Sequence, residues 1–164
     1  MPAWITTYLR DPPANLTPNT IATGIGAVDW LTLGEIFDLE EDQVKAFMDQ
    51  LLWTDIPLGF TVEPNQRHVQ IHVWVDPDRV RMEIDELQQR EGLVLPATVH
   101  NHLMNVRGVV AIELGWPQLR TMYEIVAFEI AYWLAEIGAG VILSPDDYWF
   151  DHDVNRYEPI SDPV

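Results

Sequence analysis

The sequence contains no cysteine and a single lysine, and its charge is strongly one-sided. Without cysteine the chain forms no disulfide, no zinc–thiolate site and no thiol nucleophile. Its 26 Asp and Glu residues against nine Lys and Arg give a formal net charge of −17. Binding to nucleic acid or to anionic membrane surfaces is disfavoured, because both depend on clustered Lys and Arg. The charge instead favours a basic protein as partner, which it would attract from a distance.

Long uncharged apolar runs are also missing. The most apolar stretch, residues 122–137, is interrupted by three glutamates, so we predict no membrane span. The first residues, Met1–Trp4, lack the basic and apolar regions of a secretory signal. We therefore expect a cytoplasmic location, which the lack of cysteine also fits.

The 164 residues are 48% apolar, which is enough for one core and predicts a single domain over 1–164. Apolar residues repeat at helical spacing in three segments: 40–53, 77–90 and 117–137. Strand-like segments are 3–9, 60–62, 67–75, 106–114, 141–143 and 148–150. This order predicts an α+β fold, a two-layer domain with helices packed on one face of a mixed or mainly antiparallel sheet.

Acidic and aromatic residues cluster near the end of the chain. Asp146, Asp147, Asp151 and Asp153 surround Tyr148, Trp149 and Phe150. Aromatic side chains beside carboxylates are typical of a surface that binds a basic partner. The same acids would also suit a hard cation, or would keep an ordinary edge hairpin soluble. We predict a partner surface, to which we add an aromatic residue from an earlier strand: Asp146, Asp147, Tyr148, Trp149, Asp151, Asp153 and Trp74.

Two further patterns contain residue types that serve in metal binding or in catalysis. His100 and His102 would share one face if they lay on a strand, and two imidazoles so placed can hold a metal ion with a third ligand. Glu129 lies within a very apolar helix, where desolvation of the carboxylate would suit it to general acid–base catalysis. We favour a structural role for Glu129, and a polar loop for the two histidines.

Residues 31–75 resemble a winged helix. In that reading 32–37 is the positioning helix, 40–53 the recognition helix, and 60–62 with 68–75 the wing. The resemblance implies a helical, winged-helix-like sub-lobe at 31–75 and a regulatory protein. The recognition helix carries four acids against Lys45 alone, so it would serve protein contacts rather than DNA.

The second half of the chain resembles a different group. The segment 109–116, the long apolar helix, Gly138–Ile142 and Asp146–Trp149 together resemble small acidic bacterial proteins, many of them immunity proteins of polymorphic-toxin systems. The resemblance covers about residues 68–152. It implies a cytoplasmic protein that binds a toxin domain and blocks its active site without catalysis of its own.

Our leading hypothesis is a non-catalytic acidic binding protein, an immunity-type inhibitor of a basic bacterial toxin domain. We predict no cofactor, no bound metal and no catalytic residues. The alternatives are a metal-dependent enzyme using His100 and His102, and a winged-helix-like regulatory protein.

Overall fold

The described part of the chain, residues 1–152 and 157–161 of a computed structural model, folds around one seven-stranded sheet. The strands are β1 (Ala3–Leu9), β2 (Leu52–Asp55), β3 (Leu58–Thr61), β4 (Val69–Trp74), β5 (Gly108–Leu114), β6 (Gly140–Leu143) and β7 (Trp149–Asp151). The helices are α1 (Pro18–Gly24), α2 (Trp30–Ile36), α3 (Glu41–Asp49), α4 (Pro77–Gln88), α5 (Ala97–Leu103) and α6 (Met122–Gly138).

The strand order in the sheet is β2-β3-β4-β5-β1-β6-β7, and neighbouring strands pair antiparallel throughout. The predicted α+β fold with a mainly antiparallel sheet is therefore confirmed. None of the described helices is both long and apolar enough to cross a membrane.

The larger core lies between α6 and the first face of the sheet. Ile5 and Leu9 of β1 point toward it, as do Val110 and Ile112 of β5, because alternate strand residues share a face. Most residues of α6 are buried, since α1, α2 and α3 enclose the sides of this helix that the sheet does not cover. The 17-residue helix is therefore the central core element that its apolar sequence predicts.

A second core lies on the opposite face of the sheet. Tyr8, Val109 and Val141 point to this side and pack against α4 and α5. The sequence predicts helices on one face only. It misses the second layer because α5 is short and because α4 shows mainly charged residues on its exposed side. These two helices cover only part of the second face, and the remainder stays open.

Two local predictions are corrected by the structure. The helix predicted over 40–53 ends at Asp49, and Trp53 lies on β2, which pairs with β3. His100 and His102 lie on helix α5, neither in the polar loop that we favour nor on the strand that a shared metal site would need. Residues two apart on a helix point about 200° away from each other, so these imidazoles do not share a face.

Residues 31–75 contain most of α2, all of α3 and then three antiparallel strands, β2, β3 and β4. The hairpin of β3 and β4 turns at 62–68, and β4 pairs on its other side with β5. The segment is therefore continuous with the central sheet.

Candidate functional site

An open cleft of about 780 Å³ lies on the uncovered part of the second sheet face. Its floor comes from β1, β4 and β5, one wall from α4, and the opposite wall from the turn between β6 and β7. Four ring-bearing side chains give the cleft its character: Trp4, His72, Trp74 and Trp116. We call it the aromatic cleft.

Rings and one guanidinium group contact one another in series along the cleft. The ring centroids of Trp4 and His72 are 5.5 Å apart, and those of His72 and Trp74 are 6.0 Å apart. The guanidinium carbon of Arg79 lies 4.7 Å from the Trp74 centroid, which is a cation–π contact. Trp4 and His72 belong to strands on either side of β5, and the small side chain of Ala111 leaves room for their rings to meet above that strand.

A carboxylate holds His72 in place. Glu113 Oε2 lies 3.0 Å from His72 Nε2, and Glu113 Oε1 accepts a hydrogen bond from the Arg67 guanidinium. The side chain of Gln118 donates to the backbone carbonyl of Arg67 over 2.6 Å, which fixes the loop that carries this arginine. Because a carboxylate that accepts from Arg67 offers no proton, His72 donates from Nε2 in this contact. In the described chain no hydroxyl side chain hydrogen-bonds to this imidazole.

The cleft walls carry both paired and unpaired charges. Two ion pairs with N–O distances of 2.6 Å brace the walls: Arg79 with Glu83, and Arg90 with Asp147. Glu86 on α4 and Asp146 in the β6–β7 turn also line the cleft. Neither of these two acids forms an ion pair with another described residue, so they leave the rim with excess negative charge.

Three of the residues predicted for the partner surface meet in this cleft: Trp74, Asp146 and Asp147. Tyr148 follows them on the turn and is 57% exposed. Asp151 ends β7, where it lies 3.0 Å from His152 and does not line the cleft. Asp153 lies outside the described residues.

Trp149 does not fit its predicted role as a docking anchor. It is 2% exposed, and its indole Nε1 donates to the carbonyl of Val94 over 3.0 Å. Its ring also packs against Tyr8 at a centroid distance of 5.6 Å. Trp149 is therefore a core residue that ties β7 to the loop before α5, and we leave it out of the proposed surface.

The two histidines of α5 have different environments. His100 is exposed, whereas His102 is buried and its Nε2 lies 2.8 Å from the backbone oxygen of Tyr8. Since a carbonyl only accepts, His102 donates this hydrogen bond, which links α5 to β1. No group of three or more His, Asp and Glu side chains in residues 1–152 and 157–161 is placed to hold a metal ion.

The burial of His102 makes stability depend on pH. Burial is the main cause that lowers its pKa below the ordinary value of 6.5. As the pH falls through 6.5, His102 binds a proton in the unfolded chain, whereas in the folded protein it does so only at lower pH. The free energy of unfolding therefore falls as the pH drops below 6.5. For a single proton this slope has an upper limit of about 1.4 kcal/mol per pH unit. Urea denaturation of the wild type between pH 5.5 and 7.5 measures it.

A matched pair of variants on the same helix separates this effect from other titrations. His102→Gln is expected to flatten the slope, and His100→Gln is expected to leave it unchanged. Parallel slopes for the wild type and His102→Gln would show that another group is responsible.

Glu129 is buried on α6, at 3% exposure, and accepts a hydrogen bond from the hydroxyl of Tyr157. The backbone N–H of Tyr157 in turn donates to the hydroxyl of Tyr132 over 3.0 Å. These contacts tie the segment 157–161 to the helix. They support the structural role that we favour for Glu129.

The sequence reasoning did not select Trp4, Trp116, Arg79 or Glu113 for the site. The alternation of His72 and Trp74 on β4 was the available local signal, because it places both on one sheet face. Trp4 and Glu113 come together with β4 only through the pairing of β1 and β4 with β5, which no local pattern indicates. Arg79 comes from α4, and Trp116 from the segment that follows β5.

The sequence matches no protein-family model, and no curated protein or solved structure is significantly similar to the chain.

Proposed function

We propose that this protein binds a basic protein partner through the aromatic cleft. The observation that carries the proposal is an uncovered part of a sheet face where tryptophan rings stand beside unpaired carboxylates. Trp116 is 63% exposed and Trp4 is 37% exposed, and Glu86 and Asp146 border the same space. Aromatic anchors edged by charge are typical of the central residues of protein interfaces.

Charge complementarity indicates the sign of the partner. The net charge of −17 attracts a cationic protein over a distance and raises the rate of encounter. After encounter, the rings would determine how long the complex lasts, since aromatic contacts act mainly on dissociation. We do not assign catalysis to the cleft.

The specific form of this proposal is an immunity-type inhibitor of a basic bacterial toxin domain, acting in the cytoplasm. Its support is the resemblance of residues 68–152 to small acidic immunity proteins, together with the acidic charge. An inhibitor of this kind needs only a complementary surface, which the cleft offers.

The test begins with affinity capture from nuclease-treated lysate of the source organism, at low and high salt, followed by mass spectrometry. The association rate of the captured protein is then measured with the wild type and with Glu86→Gln/Asp146→Asn. Removing these two charges from the cleft is expected to slow association about threefold or more at low salt and to flatten its salt dependence.

A control variant, Glu35→Gln/Asp49→Asn, removes the same charge from exposed positions on α2 and α3. Its association rate is expected to stay within about twofold of the wild type, because both residues lie away from the cleft. If both double variants slow association equally, the partner does not dock at the cleft. Retention of only acidic proteins, or of none, would contradict the proposed function.

A further inference from the structure

The aromatic cleft already holds two guanidinium groups of this chain. Arg79 lies over the ring of Trp74 and pairs with Glu83. Arg90 pairs with Asp147. Guanidinium suits such surroundings because it is planar, stacks on aromatic faces and donates several hydrogen bonds in one plane. The cleft therefore combines the two surfaces that an arginine side chain prefers, an aromatic face and a carboxylate.

Among the residues that the structure describes, no guanidinium group lies over the ring at the other end of the series, that of Trp4. Trp4 contacts His72 on one side, yet 37% of its surface is exposed to solvent. Thr6, two residues further along β1, lies in the sheet between Ala111 and Leu143. The open floor of the cleft thus extends from the Trp4 ring toward the β6–β7 turn, which carries Asp146.

We infer that the cleft takes an arginine side chain of the basic partner, with its guanidinium stacked on Trp4. This inference rests on the proposed function and names the partner chemistry of that site. The guanidinium would occupy the space above Thr6, between the Trp4 ring and the carboxylate of Asp146. It would repeat at Trp4 the contact that Arg79 makes with Trp74.

Lysine fits this space less well. Its ammonium group is compact and strongly hydrated, and it cannot stack as a plane on a ring. Long-range attraction to the acidic surface is the same for both side chains, because they carry equal charge. A preference for arginine over lysine at equal charge therefore reports stacking and planar hydrogen bonding rather than net charge, and the part that Trp4→Ala removes is the part due to the Trp4 ring.

The experiment uses two probes of equal length and charge, a hexa-arginine and a hexa-lysine peptide, with isothermal titration calorimetry at low salt. Hexa-arginine is expected to bind the wild type about threefold to fivefold more tightly than hexa-lysine, the range that one solvent-exposed cation–π contact supports. Trp4→Ala is expected to abolish this preference, and Trp4→Phe is expected to retain most of it. Phe37→Ala, which removes an exposed aromatic side chain that does not line the cleft, is the matched control and is expected to keep the full preference.

The possible results distinguish a failure of arginine recognition from a failure of the proposed function. Equal affinities of the wild type for both peptides would overturn arginine recognition, while the captured partner still tests protein binding. A preference that survives Trp4→Ala would overturn the assignment to Trp4. If neither peptide binds, the inference fails and the cleft loses its support as a cationic docking site. Circular dichroism of each variant confirms that the fold is intact before titration.

Discussion

Replacement of Gly59 by alanine is expected to destabilise the fold by about 3 kcal/mol. Gly59 lies on β3, opposite Gln70 of β4. A Cβ at this position would lie 2.0 Å from the carbonyl oxygen of Val69 and 3.3 Å from Cα of Gln70. Both are backbone atoms of the paired strand, so no side-chain rotation relieves the overlap. The strands must move apart, which disrupts the β3–β4 pairing beside the core residue Phe60.

Urea denaturation of Gly59→Ala against the wild type measures this effect. Gly92→Ala is a suitable control, because a Cβ there meets nothing within 4 Å and the strain comes only from its φ of +78°. We expect about 1 kcal/mol for the control. If the two variants lose the same free energy of unfolding, the sheet accommodates the methyl group, and β3 and β4 pair less closely than in the structure.

Replacement of Trp149 by alanine is expected to destabilise the protein by about 3–5 kcal/mol. The substitution removes a large buried side chain from the second core and its packing against Tyr8. It also leaves the carbonyl of Val94 without its indole donor. Trp149→Phe should lie between the wild type and the alanine variant, because the ring is largely kept and the hydrogen bond is lost.

The neighbouring Tyr148 is the control for this prediction. It is 57% exposed, so Tyr148→Ala is expected to change the free energy of unfolding by no more than about 0.5 kcal/mol. Thermal or urea denaturation of the two alanine variants gives the comparison. If Trp149→Ala is as stable as the wild type, Trp149 is not a core residue and becomes a candidate docking anchor again.

The elements that sequence reasoning predicts well have strong periodicity. The long apolar helix α6 and the strand β4 are examples, since each repeats its apolar residues at one spacing over many positions. The end of α6 at Gly138 also follows from the sequence. The left-handed residue there is Ala139, at φ +49°, rather than a glycine.

The elements that it misses are short and depend on tertiary contacts. Helix α5 has seven residues of modest helix propensity, and the burial of Val99 and Leu103 with the hydrogen bond from His102 to β1 holds it. Strand β2 begins three residues after α3 ends, and its first residue, Leu52, continues the helical spacing of apolar residues. The sequence therefore gives no sign of the change from helix to strand.

The candidate site was predictable in part for the same reason. Trp74 was recognisable from the alternation on β4, and Asp146 and Asp147 from the acidic turn before Tyr148. Their convergence with Trp4 depends on the strand order β4-β5-β1-β6, which places distant segments side by side. Strand order is set by the packing of the whole sheet, so a local pattern carries no information about it.

The interior position of β1 in the sheet also bears on how the protein is made. Its partners, β5 and β6, lie about 100 and 130 residues further along the chain. The hairpins β2–β3 and β3–β4 join residues close in sequence and can form early, whereas β1 must wait for the loop between it and its partners to close. During synthesis, both edges of β1 therefore stay unpaired until β5 and then β6 have left the ribosome. A nascent chain halted between them would expose one edge of β1 and much of the apolar surface of α6, which makes that intermediate the stage most prone to aggregation.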